Sequence, residues 1–363
     1  MTSQSSARLV EFDYFRGIGI FVVVMWHMLM LLGEHEFVMY GYSRFDKLFA
    51  LTFNSSTAFF VFMSGFMFFW IYYRRGFQFG AFLKGKFRNL FRPYFLIATI
   101  FSVLHIIYGT YTGRIADWHS GVENNLERFL AVTWTYWSFW YMPFITVVFI
   151  MSPVYLRFIK YRLGLQIFLI IFGIFVSSSI GRYDVNAFHS CAYFSVYYIF
   201  GIFCAQHYER IKNFSVKFWI ALLELYLMAI LLASAFCFYN YGAMSFQSSW
   251  GVLIKDFTPI FKLPECLLLL WVAEKLANLS EVLKKILPIM GKYSFAIFFL
   301  HNFFIAIFEE VAFWAGMEHP LQNTAWIYPV GFTVTIFVCG ICILLAKFLK
   351  DKIGANSRVY IGV

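Results

Sequence analysis

The stretch Phe12–His27, FDYFRGIGIFVVVMWH, decides how this chain is read. It is apolar enough to lie inside a bilayer, yet it carries Asp13, Arg16 and His27. Continued to residue 33, it reaches the roughly 20 residues that a helix needs to cross a ~30 Å hydrocarbon core. Arg16 lies within it and no small-residue cleavage site follows, so it reads as a first transmembrane helix and not as a removable signal. Runs of the same kind recur to the other end. Of 363 residues 61% are apolar and 13% charged, with 49 Phe, 23 Tyr and 11 Trp. A mean hydropathy of +0.70 rules out one water-soluble core.

Ten apolar runs fall near residues 12–33, 50–72, 93–110, 138–158, 163–181, 189–207, 217–238, 252–273, 287–312 and 326–347. They are continuously apolar and do not alternate, which excludes a closed barrel and predicts helices that satisfy their own backbones. The expected fold is therefore an all-α polytopic integral membrane protein of about ten transmembrane helices. Placing the N-terminus inside assigns about three times as many Lys and Arg to the cytoplasmic segments as to the opposite side, so both termini are expected in the cytoplasm. This alternation accounts for the net charge of +10. No stripe of aromatics interleaved with basic residues occurs in a polar segment, so nucleic acid is not an expected partner. There is no internal repeat or linker, and residues 1–363 are expected to form one membrane domain, with a basic inner loop near 74–92 and an outer loop near 111–136.

Ionisable groups inside the spans carry the functional information, because each is costly there without a partner or a cavity. Arg16 and His27 are eleven residues apart, about 1100° on a helix, so both project from one face and lie roughly 16 Å apart along it. Arg16 is either an interfacial anchor or a ligand-binding group; His27, among Val, Met and Trp, calls for a cavity or a partner. Asp13 lies one turn before Arg16 and is placed to pair with it. In the second span Ser64 and Gly65 mark close helix packing or the passage of a thin ligand arm past the backbone. In the ninth, Gly291 and Ser294 precede His301 and Asn302, and Ser294 and His301, seven apart, share a face. His301 is either a hydrogen-bonded structural residue or part of a site.

The loop from Arg74 to Pro93 contains Arg74, Arg75, Lys84, Lys86, Arg88 and Arg92 with no acid, which suits anionic headgroups or a polyanionic ligand. Glu224 in the seventh span either faces the cavity or has a buried partner. Lys262 and Glu265 flank Pro264 at pairing distance, and His105 and Tyr141 are candidates for a cavity wall. Glu34, His35 and Glu36 are consecutive and cannot all point one way, so no metal is expected. Cys339 and Cys342 lie inside the last run, where helix packing outweighs a redox or zinc pair.

In their order on these spans, three segments resemble the membrane-bound acyltransferase 3 family. Its first-helix signature is matched by Asp13, Arg16, Gly17 and His27, its second-helix pattern by Phe59, Phe60, Ser64 and Gly65, and its late pattern by Gly291, Ser294 and His301. The resemblance covers essentially the whole chain. Gly19 stands where the family often has Ala, and Arg88 and Arg92 are separated by three residues where two are common.

The resemblance implies transfer of an acyl group, acetyl above all or succinyl, from acyl-CoA to a hydroxyl of an extracytoplasmic or cell-surface glycan, at the plasma (bacterial inner) membrane. It implies catalytic roles for His27, Arg16 and Asp13, with His27 as general base or as nucleophile. Donor contacts fall to Arg16, Arg88, Arg92, Ser64 and Gly65, because a basic inner loop suits the phosphates of coenzyme A. His301, Ser294, Tyr141 and Glu224 are then expected along the acceptor cavity. No fused hydrolase-like domain is expected, so any such activity would come from a separate extracytoplasmic partner. The alternative is a transporter or flippase of a glycan or small solute, although the inverted symmetry common in transporters is not visible.

Overall fold

The computed structural model describes residues 10–33, 44–113, 115, 117–130, 137–182, 186–236, 238–240, 243–245, 255–317, 321 and 324–362. Glu34, His35 and Glu36 lie outside them. The chain begins with α1 (Val10–Leu32), followed by a broken second span, α2 (Arg44–Phe53) and α3 (Thr57–Met67), which ends through a π turn and a 3-10 turn at Arg75. Next, α4 (Phe79–Lys86) runs through a π turn at Phe87–Phe91 into α5 (Arg92–Tyr111), and α6 (Trp118–Leu130) follows. The fourth passage is bent by 55° between α7 (Tyr141–Ile150) and α8 (Ser152–Lys160), where Pro153 opens the second half.

The second half contains α9 (Leu163–Ile180), α10 (Ala187–Gln206), α11 (Tyr208–Lys212) and α12 (Val216–Phe236). A short antiparallel ribbon of β1 (Phe238–Asn240) and β2 (Ala243–Ser245) precedes α13 (Thr258–Leu279) and α14 (Glu281–Trp314). The chain continues as α15 (Ile327–Ile353) and α16 (Ser357–Tyr360). Among the described residues eight helices are long and apolar enough to span a membrane, or nine when the bent pair counts as one, fewer than the ten expected. The difference is the run expected at 252–273. The corresponding helix, α13, carries Lys262, Glu265, Glu274 and Lys275, too many charges for a span judged by composition.

The outward faces are as greasy as the interior. Leu165, Ile167, Phe168, Ile171 and Phe172 on α9 and Leu223, Leu225, Leu227 and Met228 on α12 are all exposed, as lipid-facing helices require. Inward, α12 presents Trp219, Tyr226, Ile230 and Ala233. Glu224 lies about 160° around the helix from Tyr226. It is therefore exposed on the outer face and not in the cavity or against a buried partner, which corrects the expectation for this residue.

Two close helix crossings hold the bundle at its functional centre. A methyl group at Gly17 would come within 2.4 Å of the Leu287 carbonyl oxygen, and one at Gly291 within 2.1 Å of the Asp13 carbonyl oxygen, so α1 and α14 touch backbone to backbone. Between α3 and α10 the same is true of Gly65, 2.0 Å from the Tyr198 oxygen, and Gly201, 2.0 Å from the Phe62 oxygen. In a bilayer the medium is as apolar as the side chains, so close backbone approach at small residues supplies much of the packing attraction.

The break between α2 and α3 exposes helix-end carbonyls inside the protein. Lys262 of α13 is fully buried and donates to the Thr52 carbonyl at the end of α2, while its ammonium lies 2.9 Å from a Glu265 carboxylate oxygen. A cation at a helix C-terminus is favoured by the dipole, which gives this buried pair a structural purpose.

Candidate active site

The two helices joined at Gly17 and Gly291 bring the singled-out residues of spans one and nine together. Arg16 donates from Nη2 to the Ser294 hydroxyl at 2.8 Å, and His27 Nδ1 lies 3.0 Å from His301 Nε2 with the ring planes 2° apart. Both pairs advance toward the C-terminal ends of their helices, so α1 and α14 run in the same direction.

His301 is completely buried, and its Nδ1 lies 2.9 Å from the Ile297 carbonyl oxygen. A carbonyl can only accept, so Nδ1 of His301 carries a proton, and in the neutral ring Nε2 offers a lone pair. His27 must then donate from Nδ1 to that lone pair, which leaves Nε2 of His27 unprotonated. A chain of two hydrogen bonds thus fixes the tautomer of His27 from behind, as the orienting partner of a catalytic imidazole does.

Arg16 and His27 line one cavity of about 950 Å³. Val23 lies between them on the same face of α1, as the eleven-residue spacing requires. Around His27 the wall is formed by Thr57, Trp140, Tyr141 and Phe298, and Tyr141 and Ser64 both face the cavity. Trp140 is fixed by Phe194, with which it stacks at 5.7 Å, and Arg182 lies 4.7 Å over its ring. At the Arg16 end the wall changes character, with Lys86, Lys292, Lys350 and Arg358 and the single acid Asp351 among the described lining residues. Arg16 and Arg358 both lie within electrostatic reach of Lys86, whose ammonium sits 4.3 Å over the Phe149 ring.

Of the expected site residues, Arg16, His27, Ser64, Tyr141 and Ser294 line this cavity, and His301 stands directly behind His27. Asp13 is buried one turn below Arg16, outside the lining, with its backbone against Gly291. Gly65 faces α10 and not the cavity. Arg88 and Arg92 are exposed and outside the lining, with Arg88 donating to Asn89 at 3.4 Å, so the inner loop presents Lys86 in their place. His105 is exposed outside the cavity, and Cys339 and Cys342 pack beside Ile20, Val24 and Met28. Among the described residues no group of three His, Cys, Asp or Glu converges as metal ligands would. Lys292, Lys350, Arg358 and Trp140 carried no motif of their own in the sequence, although Lys292 sits inside the segment from Gly291 to Asn302.

This arrangement presents cations at one end of a long cavity and a basic imidazole nitrogen at the other. The family model described as an acyltransferase domain, acyltransferase 3, matches residues 9–344, and the chain belongs to that family. Neither the curated proteins nor the solved structures provide a match. The protein is a multi-pass membrane acyltransferase, and the family implies an acyl donor.

Proposed function

We propose that this protein moves an acyl group, acetyl or succinyl, from cytoplasmic acyl-CoA to a hydroxyl of an extracytoplasmic glycan at the plasma membrane. The observation that carries this reading is the continuity of one cavity from Arg16, Lys86 and Lys292 to His27. Arginine and lysine at one end suit the phosphates of a nucleotide thioester, and the apolar passage beyond Met63 and Met67 suits a pantetheine arm. The donor side is cytoplasmic because the basic end belongs to the segments that the positive-inside rule assigns there.

At His27 the unprotonated Nε2 accepts the proton of the acceptor hydroxyl as its oxygen attacks the thioester carbonyl. The imidazolium that forms is stabilised through the Nδ1–H bond to His301. When the tetrahedral intermediate collapses, the carbon–sulfur bond breaks and the thiolate takes the proton back from His27. Trp140 and Tyr141 beside His27 give a sugar ring an aromatic wall and a hydroxyl partner.

The direct test is to incubate purified protein with acetyl- and succinyl-CoA labelled in the acyl group and follow release of free thiol and transfer to glycan fractions. Consumption of one thioester, dependent on His27, is the expected result. Donor consumption unchanged in His27→Ala, or no consumption of any acyl-CoA with acceptor present, would sink the reading.

A further inference from the structure

Beyond Ile353 the chain does not leave the bundle. Gly354, at φ 67°, turns it out of α15, and the residues that follow cross the basic end of the cavity. Ser357 and Ile361 are buried, α16 packs against α5 and the Phe87–Phe91 turn, and a methyl group at Gly362 would touch the Phe295 side chain of α14. Residues 354–362 therefore form a strap tied down on three elements. Gly354, Ser357, Arg358 and Gly362 all contribute to the cavity wall.

The charges of this segment are sorted. Lys350 and Arg358 line the cavity, Lys350 half-buried and Arg358 from an exposed position, whereas Lys352, two residues from Lys350, lies outside the lining with its ammonium 5.8 Å over the Phe348 ring. A tail that served only as a basic anchor for lipid would have no reason to set its arginine on the cavity wall, within electrostatic reach of Lys86. Like charges held together around an open space are stabilised when an anion fills it.

We propose that the strap Gly354–Gly362 is part of the donor site, with Arg358 and Lys350 binding phosphate groups of coenzyme A opposite Lys86. This rests on the acyl-CoA reading above and adds to it a site element that lies beyond the residues matched by the family model. The planar guanidinium of Arg358 offers paired donors to a phosphate, and Lys350 adds a point charge. A bound nucleotide bridges the strap to α4 and holds it closed over the cavity.

The probe is coenzyme A itself, which needs no knowledge of the acyl group, titrated onto the full chain in phosphatidylcholine nanodiscs with pantetheine as the phosphate-free comparison. Arg358→Gln and Lys350→Gln should each weaken coenzyme A about tenfold or more and leave pantetheine unchanged, with Arg358→Lys recovering part of the loss. Lys352→Gln should bind as the parent does. Coenzyme A should also protect the bond after Arg358 from trypsin. Unchanged affinity in Arg358→Gln overturns the strap assignment while leaving the acyl-CoA reading intact, and failure of the parent protein to bind coenzyme A overturns both. A difference between parent and Arg358→Gln that appears only when phosphatidylglycerol is added would make the phosphate that of a lipid headgroup, and would also overturn the proposal.

Discussion

His27 Nδ1 and His301 Nε2 lie 3.0 Å apart, and the second imidazole is held in turn by the Ile297 carbonyl, 2.9 Å from its own Nδ1. His27 lines the cavity, whereas His301 is sealed from it. In the proposed mechanism the two histidines therefore have separable duties, one acting on substrate and the other setting the tautomer and position of the first.

His27→Ala is expected to lower kcat by roughly 10²-fold or more, the usual contribution of a general base. His301→Ala should lower kcat less and leave donor KM unchanged, because it removes an orienting partner and no substrate contact. His301→Gln, whose amide oxygen can accept from His27 Nδ1, should recover part of the rate. Steady-state kinetics with the labelled thioester distinguish these outcomes. Equal loss in His301→Ala and His301→Gln, with raised KM, would remove the positioning role.

The basic inner loop gives a second comparison. Lys86 faces the cavity while Arg88 and Arg92 face away, so Lys86→Gln should weaken coenzyme A binding about tenfold and Arg88→Gln and Arg92→Gln by much less. Titration in the same zwitterionic nanodiscs makes the measurement. If Arg88→Gln is the stronger lesion, the loop rearranges on binding and the lining described above is not the one the donor meets.

That loop also marks where the sequence stops being informative. Spacing alone placed Arg16 and His27 on one face of α1, and Ser294 and His301 on one face of α14, because a continuous helix repeats its geometry. Lys86 and Arg88 lie either side of the start of a π turn at Phe87–Phe91, which shifts the register that a helical projection assumes. Arg358 reaches the cavity through a turn at Gly354 and the burial of Ser357 and Ile361, which are tertiary choices with no periodic signature. Glu224 misled for a related reason. A carboxylate in an apolar run signals cost, but only the packed stripe of Trp219, Tyr226 and Ile230 shows which way the helix faces.

The helix crossing at Gly65 predicts a stability effect with a clean control. A methyl group there would sit 2.0 Å from the Tyr198 carbonyl oxygen, a backbone atom that cannot rotate aside, so Gly65→Ala should force α3 and α10 apart. Overpacking of this kind costs about 1–3 kcal/mol or more. Gly164 of α9 has nothing within 4 Å of its methyl position, and Gly164→Ala should be neutral or slightly stabilising. Thermal unfolding in detergent reads both, and an unchanged midpoint for Gly65→Ala would contradict the close crossing.

The buried pair of Lys262 and Glu265 allows a test in which single and double substitutions diverge. Removing only the cation leaves the Glu265 carboxylate without its 2.9 Å partner and frees the Thr52 carbonyl at the break in the second span. Breaking one side of a buried pair typically costs about 3–5 kcal/mol, so Lys262→Met should be strongly destabilised. Glu265→Gln should cost less, since Lys262 keeps the Thr52 carbonyl and the face of Phe59, 5.1 Å away. In Lys262→Met/Glu265→Leu no charge remains, and the residual loss should be about that of one unsatisfied helix-end carbonyl, roughly 1–3 kcal/mol. The double variant should therefore melt above Lys262→Met alone. If it melts lower, the two residues do not act as a pair, and α13 owes its place beside α2 and α3 to its apolar packing alone.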